Sequence, residues 1–194
     1  MEPASDLTKI TATRAIDICR GLELGQEASA LLTGSLAPLA YLSVLVERGL
    51  WTDATRFLAH ALPKREGVWW ACLAARSTLG SHATPDQLKC LDTAEQWVYF
   101  PNESNRRPAM EAAQAAGLDN PASWASIAVF WSSGSLSPEE LPVVPPPDDL
   151  CAKAISGAVM LSAVFREPEK ATDKYRQFLG QGIDIARGGT GQTG

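Results

Sequence analysis

Two histidines, four cysteines, a cluster of serines and two carboxylate pairs are the residues of this chain best suited to chemistry. Their spacing favours none of it. Cys19, Cys72, Cys90 and Cys151 form no C-x-x-C pair, and His60 and His82 supply too few imidazoles to complete a zinc site. The thiols are expected to be small buried hydrophobes in a reducing compartment. Ser132, Ser133 and Ser135 follow Phe130 and Trp131, but no G-x-S-x-G elbow, preceding strand or suitably placed histidine accompanies them. Glu139–Glu140 and Asp148–Asp149 flank a run of prolines. A general acid needs a rigid, desolvated setting, so these carboxylates are expected to cap helices and solubilise the chain. With no G-x-x-x-x-G-K-[ST] and no G-x-G-x-x-G, the sequence predicts no catalytic residue, cofactor or metal.

Residues suited to recognition are more plentiful. "PKREGVWWACLAAR", residues 63–76, sets Arg65 and Glu66 ahead of adjacent tryptophans at 69 and 70. Neighbours on a helix point about 100° apart, so hiding both indoles requires a central helix covered on two sides. That predicts interior scaffolding. The competing reading has Trp70 meeting a ligand or partner beside Arg65 or Glu66. "NRRPAM" offers Arg106 for an anion clamp or, more simply, for an internal ion pair. Trp131 ends an aromatic stripe with Trp124 and Phe130, and Pro142, Pro145 and Pro146 lie in the proline run.

Composition restricts the partners. The 194 residues are 45% apolar and 20% charged, which predicts a packed core. Net charge is -5, from 22 acids and 17 bases without a basic block, which argues against nucleic acid and anionic membranes. No apolar run reaches the roughly 18 residues a membrane span requires. The acidic opening "MEPASDLTKI" does not read as a secretory signal, so a cytoplasmic location is expected.

The positioning elements read as helices throughout. Apolar spacing with caps and stops predicts helices within 11–25, 26–34, 35–49, 52–62, 68–79, 84–100, 102–117, 120–132, 148–165 and 167–188. Counting the first weak stretches loosely, this is an all-α, irregular array of about nine helices. Thr84–Pro85 and Asn120–Pro121 are the clearest N-terminal signals. Pro108 implies a kink or a late start near Arg106. Residues 135–147 read as an extended, solvated proline strap. The expected organisation is a single domain over 1–188, with possible sub-blocks 1–134 and 148–188, and a mobile tail over 189–194.

"ALPKREGVWWAC", "NRRPAMEAAQAAGLDNPASWASIAVFWSSGSLSPEELPVVPPP", "ISGAVMLSAV" and "YRQFLGQGIDIARG" together resemble an uncharacterised bacterial family over roughly residues 50–188. Its members are often encoded near type VI secretion genes for spike, effector and adaptor proteins, and are sometimes mislabelled as twin-arginine signal proteins. The resemblance implies a non-enzymatic adaptor or chaperone-like protein that assists effector loading or delivery. The partner-binding residues expected on this reading are Arg65, Glu66, Trp70, Arg106, Trp131, Pro142, Pro145 and Pro146. Two alternatives stand beside it: a ligand-binding or enzymatic domain with a pocket between Trp70, Trp97 and Trp131, and a structural subunit of a larger assembly. The sequence leaves the oligomeric state and the role of residues 1–45 open.

Overall fold

The computed structural model describes residues 7–192, and among them every regular element is helical. Ten α-helices follow in order: α1 (Ala15–Ile18), α2 (Gln26–Leu31), α3 (Pro38–Glu47), α4 (Trp51–Ala61), α5 (Lys64–Leu79), α6 (Pro85–Tyr99), α7 (Glu103–Ala116), α8 (Pro121–Phe130), α9 (Leu150–Val164) and α10 (Ala171–Ala186). The all-α reading holds, and each of the ten stretches expected to be helical carries one of these helices. Local chemistry fixes several boundaries. Thr84 and Gln87 form a reciprocal capping box ahead of Pro85, and the Asn120 side chain accepts from the Ser123 amide. Gly49 and Gly117 end α3 and α7 at positive φ, which a side chain would strain.

Some boundaries depart from the local signals. The helix expected over 11–25 shrinks to four residues, of which only Ala15 is buried, too little packing to offset nucleation. Conversely, α5 starts at Lys64, directly after Pro63, and includes the charged residues ahead of the tryptophans. Pro108 does not delay α7. That helix begins at Glu103 because the Asn102 side chain caps it, and the proline sits inside.

The core is organised around α5, α8 and α9. Helix α9 packs on α4, α5, α8 and α10, and α5 also meets α6 and α8. Nine of the ten residues of α8 are buried, so it is covered nearly all round instead of along the single aromatic stripe expected; Trp124 is its least covered residue. Small residues permit this density. A Cβ on Gly67 of α5 would come within 2.6 Å of Ile155 on α9, and one on Gly182 of α10 within 2.7 Å of Leu58 and 2.8 Å of Trp70. Buried hydroxyls are paired, as where Ser126 donates to the Cys90 carbonyl.

The C-terminal segment corrects an expectation. Residues 189–192 do not form a loose tail: Gly191 is buried, its amide donates to Asp184 at 2.9 Å, and the Thr190 carbonyl accepts from the Trp69 indole at 2.8 Å. A Cβ on Gly191 would meet Leu73 and Ile185 at 2.8 Å, so glycine lets the backbone seat directly on α5 and α10. Residues 193–194 of the expected tail lie outside the described residues. The N-terminal segment joins the same region, with the Lys9 amide donating to the Ala186 carbonyl.

Candidate protein-interaction surface

The strap between α8 and α9 does not cross the surface as a straight extended segment. It loops back on itself. The Leu136 amide donates to the Val144 carbonyl at 2.8 Å, and the Ser135 hydroxyl accepts from the amides of Ser137 and Val144. The serine cluster thus has one assigned task, holding the base of this loop.

The base is fastened from α7. Arg106 is 1% exposed, and its guanidinium donates twice to Glu103 at 2.6 Å, to the Phe130 carbonyl at 2.6 Å and to the Ser135 carbonyl at 3.1 Å. It also lies over the Phe130 ring, 4.7 Å from its centre. Gly134 makes room: its φ is +68°, and a Cβ there would sit 2.8 Å from the guanidinium. Arg107 shares Glu103 and donates to the Ser137 carbonyl. Hydrogen bonds from Arg106, then from Arg107, hold the Glu103 carboxyl below its ordinary range, against a desolvation that pushes it up.

What the fastening presents is apolar. Leu141 is 57% exposed and Val143 74%, with Val144 also open and Pro142 and Pro145 exposed between and beside them. Contiguous exposed apolar groups mark recognition surfaces more than singly scattered ones do.

Contacts from the starts of α5 and α7 tie the neighbouring segments together. Lys64 donates to the Ser132 carbonyl, Arg65 Nε to the Val98 carbonyl at 2.6 Å, and Asn105 to the Phe100 carbonyl. Tyr99 and Phe100, at the junction of α6 and α7, are exposed. Beside them is a groove of about 410 Å³, walled by Trp69, Tyr99 and the 188–192 segment, floored by Val98 and Ile185, and carrying Lys9, Arg65 and Glu66. The Trp69 and Tyr99 rings are 6.5 Å apart at 58°, and Lys9 pairs with Glu66 at 3.2 Å.

The expected contact residues differ in where the fold places them. Arg65 and Glu66 line the groove, Pro142 and Pro145 are exposed, and Pro146 is half-buried. Trp131 is half-buried, edge-on to Trp124 at 6.3 Å. Trp70 is corrected: it is fully buried, donating to the Phe178 carbonyl at 2.7 Å, and cannot touch a partner. Arg106 is corrected likewise, since its donors are engaged within the chain. The pocket imagined between Trp70, Trp97 and Trp131 is packed core, because Trp70 and Trp97 are buried and Trp131 leans on the same cluster. The expectation that both indoles at 69 and 70 are interior fails for Trp69, which walls the groove.

Sequence reasoning missed Leu141, Val143 and Val144 by attending to the prolines around them. It also missed Tyr99 and Phe100, although "WVYF" immediately before Pro101 puts four apolar residues where a helix face has room for two. The cysteines are free. Cys72, Cys90 and Cys151 are buried, and burial pushes the Cys151 thiol up to about 12 and that of half-buried Cys19 to about 11. Among the described residues, no three His, Cys, Asp or Glu side chains are grouped to hold a metal. No helix there is long and apolar enough to cross a membrane.

Fold and surface together define an all-helical domain carrying a polar-fastened apolar loop and an aromatic-lined groove. The chain belongs to the family described as a family of unknown function (DUF6931), whose model matches residues 41–186. The match opens in α3 and closes at the end of α10, so the strap and Arg106 lie within it, while α1 and α2 lie outside. No curated protein and no solved structure matches the chain.

Proposed function

We propose that this chain is a non-enzymatic protein-binding accessory, an adaptor or chaperone-like protein, whose contact surface is the 138–145 loop with Tyr99 and Phe100 nearby. The observation that carries this reading is the exposure of Leu141 and Val143 on a loop whose base is fixed by a buried guanidinium. Burying a charge is costly unless it is fully paired, and here its bonds hold an apolar segment in water instead of closing a core. Ordering a contact segment in advance lowers the entropy lost on docking. Prolines at 142 and 145 act in the same direction.

The setting we propose, from the resemblance to proteins encoded near type VI secretion genes, is effector loading or delivery. The partner would be an effector, spike or adaptor component acting in the cytoplasm of a bacterium. The test is co-expression with the products of neighbouring genes, followed by affinity capture of the wild-type chain and of Val143→Asp. A stable complex with one of those products, lost in the variant while the bundle stays folded, is the expected result. No complex, or one indifferent to Val143→Asp, contradicts the reading.

A further inference from the structure

The groove beside α5 has chemistry that the strap of another copy would satisfy. Its two aromatic walls, Trp69 and Tyr99, stand at an angle over the apolar floor of Val98 and Ile185. Grooves lined by aromatic rings accept apolar side chains, and a loop already held in one shape loses little freedom on docking there. The groove is also net positive: Lys9 and Arg65 contribute two positive charges and Glu66 one negative. Lys9 is matched by Glu66. Among the described residues, Arg65 is not matched by any acid. Its Nε donates to the Val98 carbonyl, which orients the guanidinium, and among the described residues its two terminal nitrogens have no partner.

The strap is complementary on both counts. From Ser137 to Asp149 it carries Glu139, Glu140, Asp148 and Asp149 and no base, around the apolar core Leu141–Pro142–Val143–Val144–Pro145. Glu139 is 74% exposed, reaching Arg107 only at 3.8 Å, and Glu140 is exposed with no partner among the described residues. Since α7 fastens the loop base of its own chain, the exposed tip is presented to solvent.

We infer that the Trp69–Tyr99–Arg65 groove is a docking site for the acidic, proline-flanked 139–145 loop of a second copy of this chain. Leu141 and Val143 would lie against the rings while Glu139 or Glu140 meets the terminal nitrogens of Arg65. Loop and groove are joined to the same set of helix ends, at α5, α6, α7 and α8, so a two-fold pair in which each loop fills the other groove is the closed form of this contact. The inference uses the loop's exposure but does not depend on the partner role proposed above.

The test is sedimentation equilibrium or light scattering of the purified full chain over a wide concentration range, at low and high salt. The expected result is a concentration-dependent dimer weakened by salt, because the contact includes surface charge. Arg65→Glu and Val143→Asp, both at exposed positions, should each weaken association at least about tenfold, as loss of a central contact does. Circular dichroism should show the helices of both variants unchanged. Mixed in equal amounts, the two variants should associate more tightly than either alone, since one supplies an intact loop and the other an intact groove. A monomer throughout, a dimer insensitive to both changes, or a mixture no better than its components overturns the inference. The dimer and the heterologous partner would use the same loop, so the two are separated by Arg65→Glu, which should weaken the dimer and leave capture of a neighbouring gene product intact.

Discussion

Trp70 and Arg106 are the two largest side chains wholly removed from solvent, and they hold their surroundings by different means. Around Trp70 the fit is one of shape. The indole faces Leu58 and the bare backbone of Gly182, where even a methyl group would clash, and one hydrogen bond to the Phe178 carbonyl settles its polar edge. Around Arg106 the fit is one of charge and direction, with bonds to Glu103, Phe130 and Ser135. The first arrangement conceals apolar surface. The second keeps Leu141 and Val143 in the open. Dispersion and area burial account for the Trp70 region, whereas the strap is held by hydrogen bonds at its base while its apolar tip stays in water.

The contrast can be broken at either end. The largest effect is expected from Trp70→Ala, which should remove about 3–5 kcal/mol of stability in urea unfolding by leaving a cavity between α4, α5 and α10. Arg106→Met should remove less, about 1–3 kcal/mol, by leaving the Phe130 and Ser135 carbonyls without their donor. A proteolytic assay should find its main consequence local, with new cleavage between residues 136 and 146.

Acid sharpens the same comparison. The Glu103 carboxyl titrates below its ordinary range when folded, so its contribution is present above the unfolded pKa and disappears as pH falls through the folded one. Below about pH 4 the strap should therefore loosen before the Trp70 region does, a difference visible by comparing loop cleavage with helix content. The smallest effect on stability belongs to Val143→Ser, within about 0.5 kcal/mol by urea unfolding, because the side chain is already in water.

What could be read from the residues follows the range of the forces involved. Helix starts at Thr84–Pro85 and Asn120–Pro121, and the stop at Gly117, are decided within four residues, and the bundle has them where the caps predict. The short α1 was not legible, since its length depends on how little of it the rest of the chain covers. Trp69 and Trp70 are the same residue type one position apart. Only the placement of Gly182 and of Thr190, more than a hundred positions downstream, makes one interior and the other a groove wall. Arg106 was similarly ambiguous: an arginine pair before a proline suits a surface clamp as well as an internal one. The deciding partner, the Ser135 carbonyl, is 29 residues away. Composition flagged the strap through its prolines, but its closure by Ser135 and its apolar tip are properties of tertiary contacts.

Amide hydrogen exchange at Leu136 and Val144 tests most directly whether the strap is a fastened surface. Both amides donate across the loop base, to the Val144 carbonyl and the Ser135 hydroxyl. They should exchange well below the random-coil rate in the wild-type chain and approach that rate in Arg106→Met, while amides around Trp70 stay protected in both. Exchange at the random-coil rate in the wild type, or protection that survives loss of the guanidinium, would contradict the account.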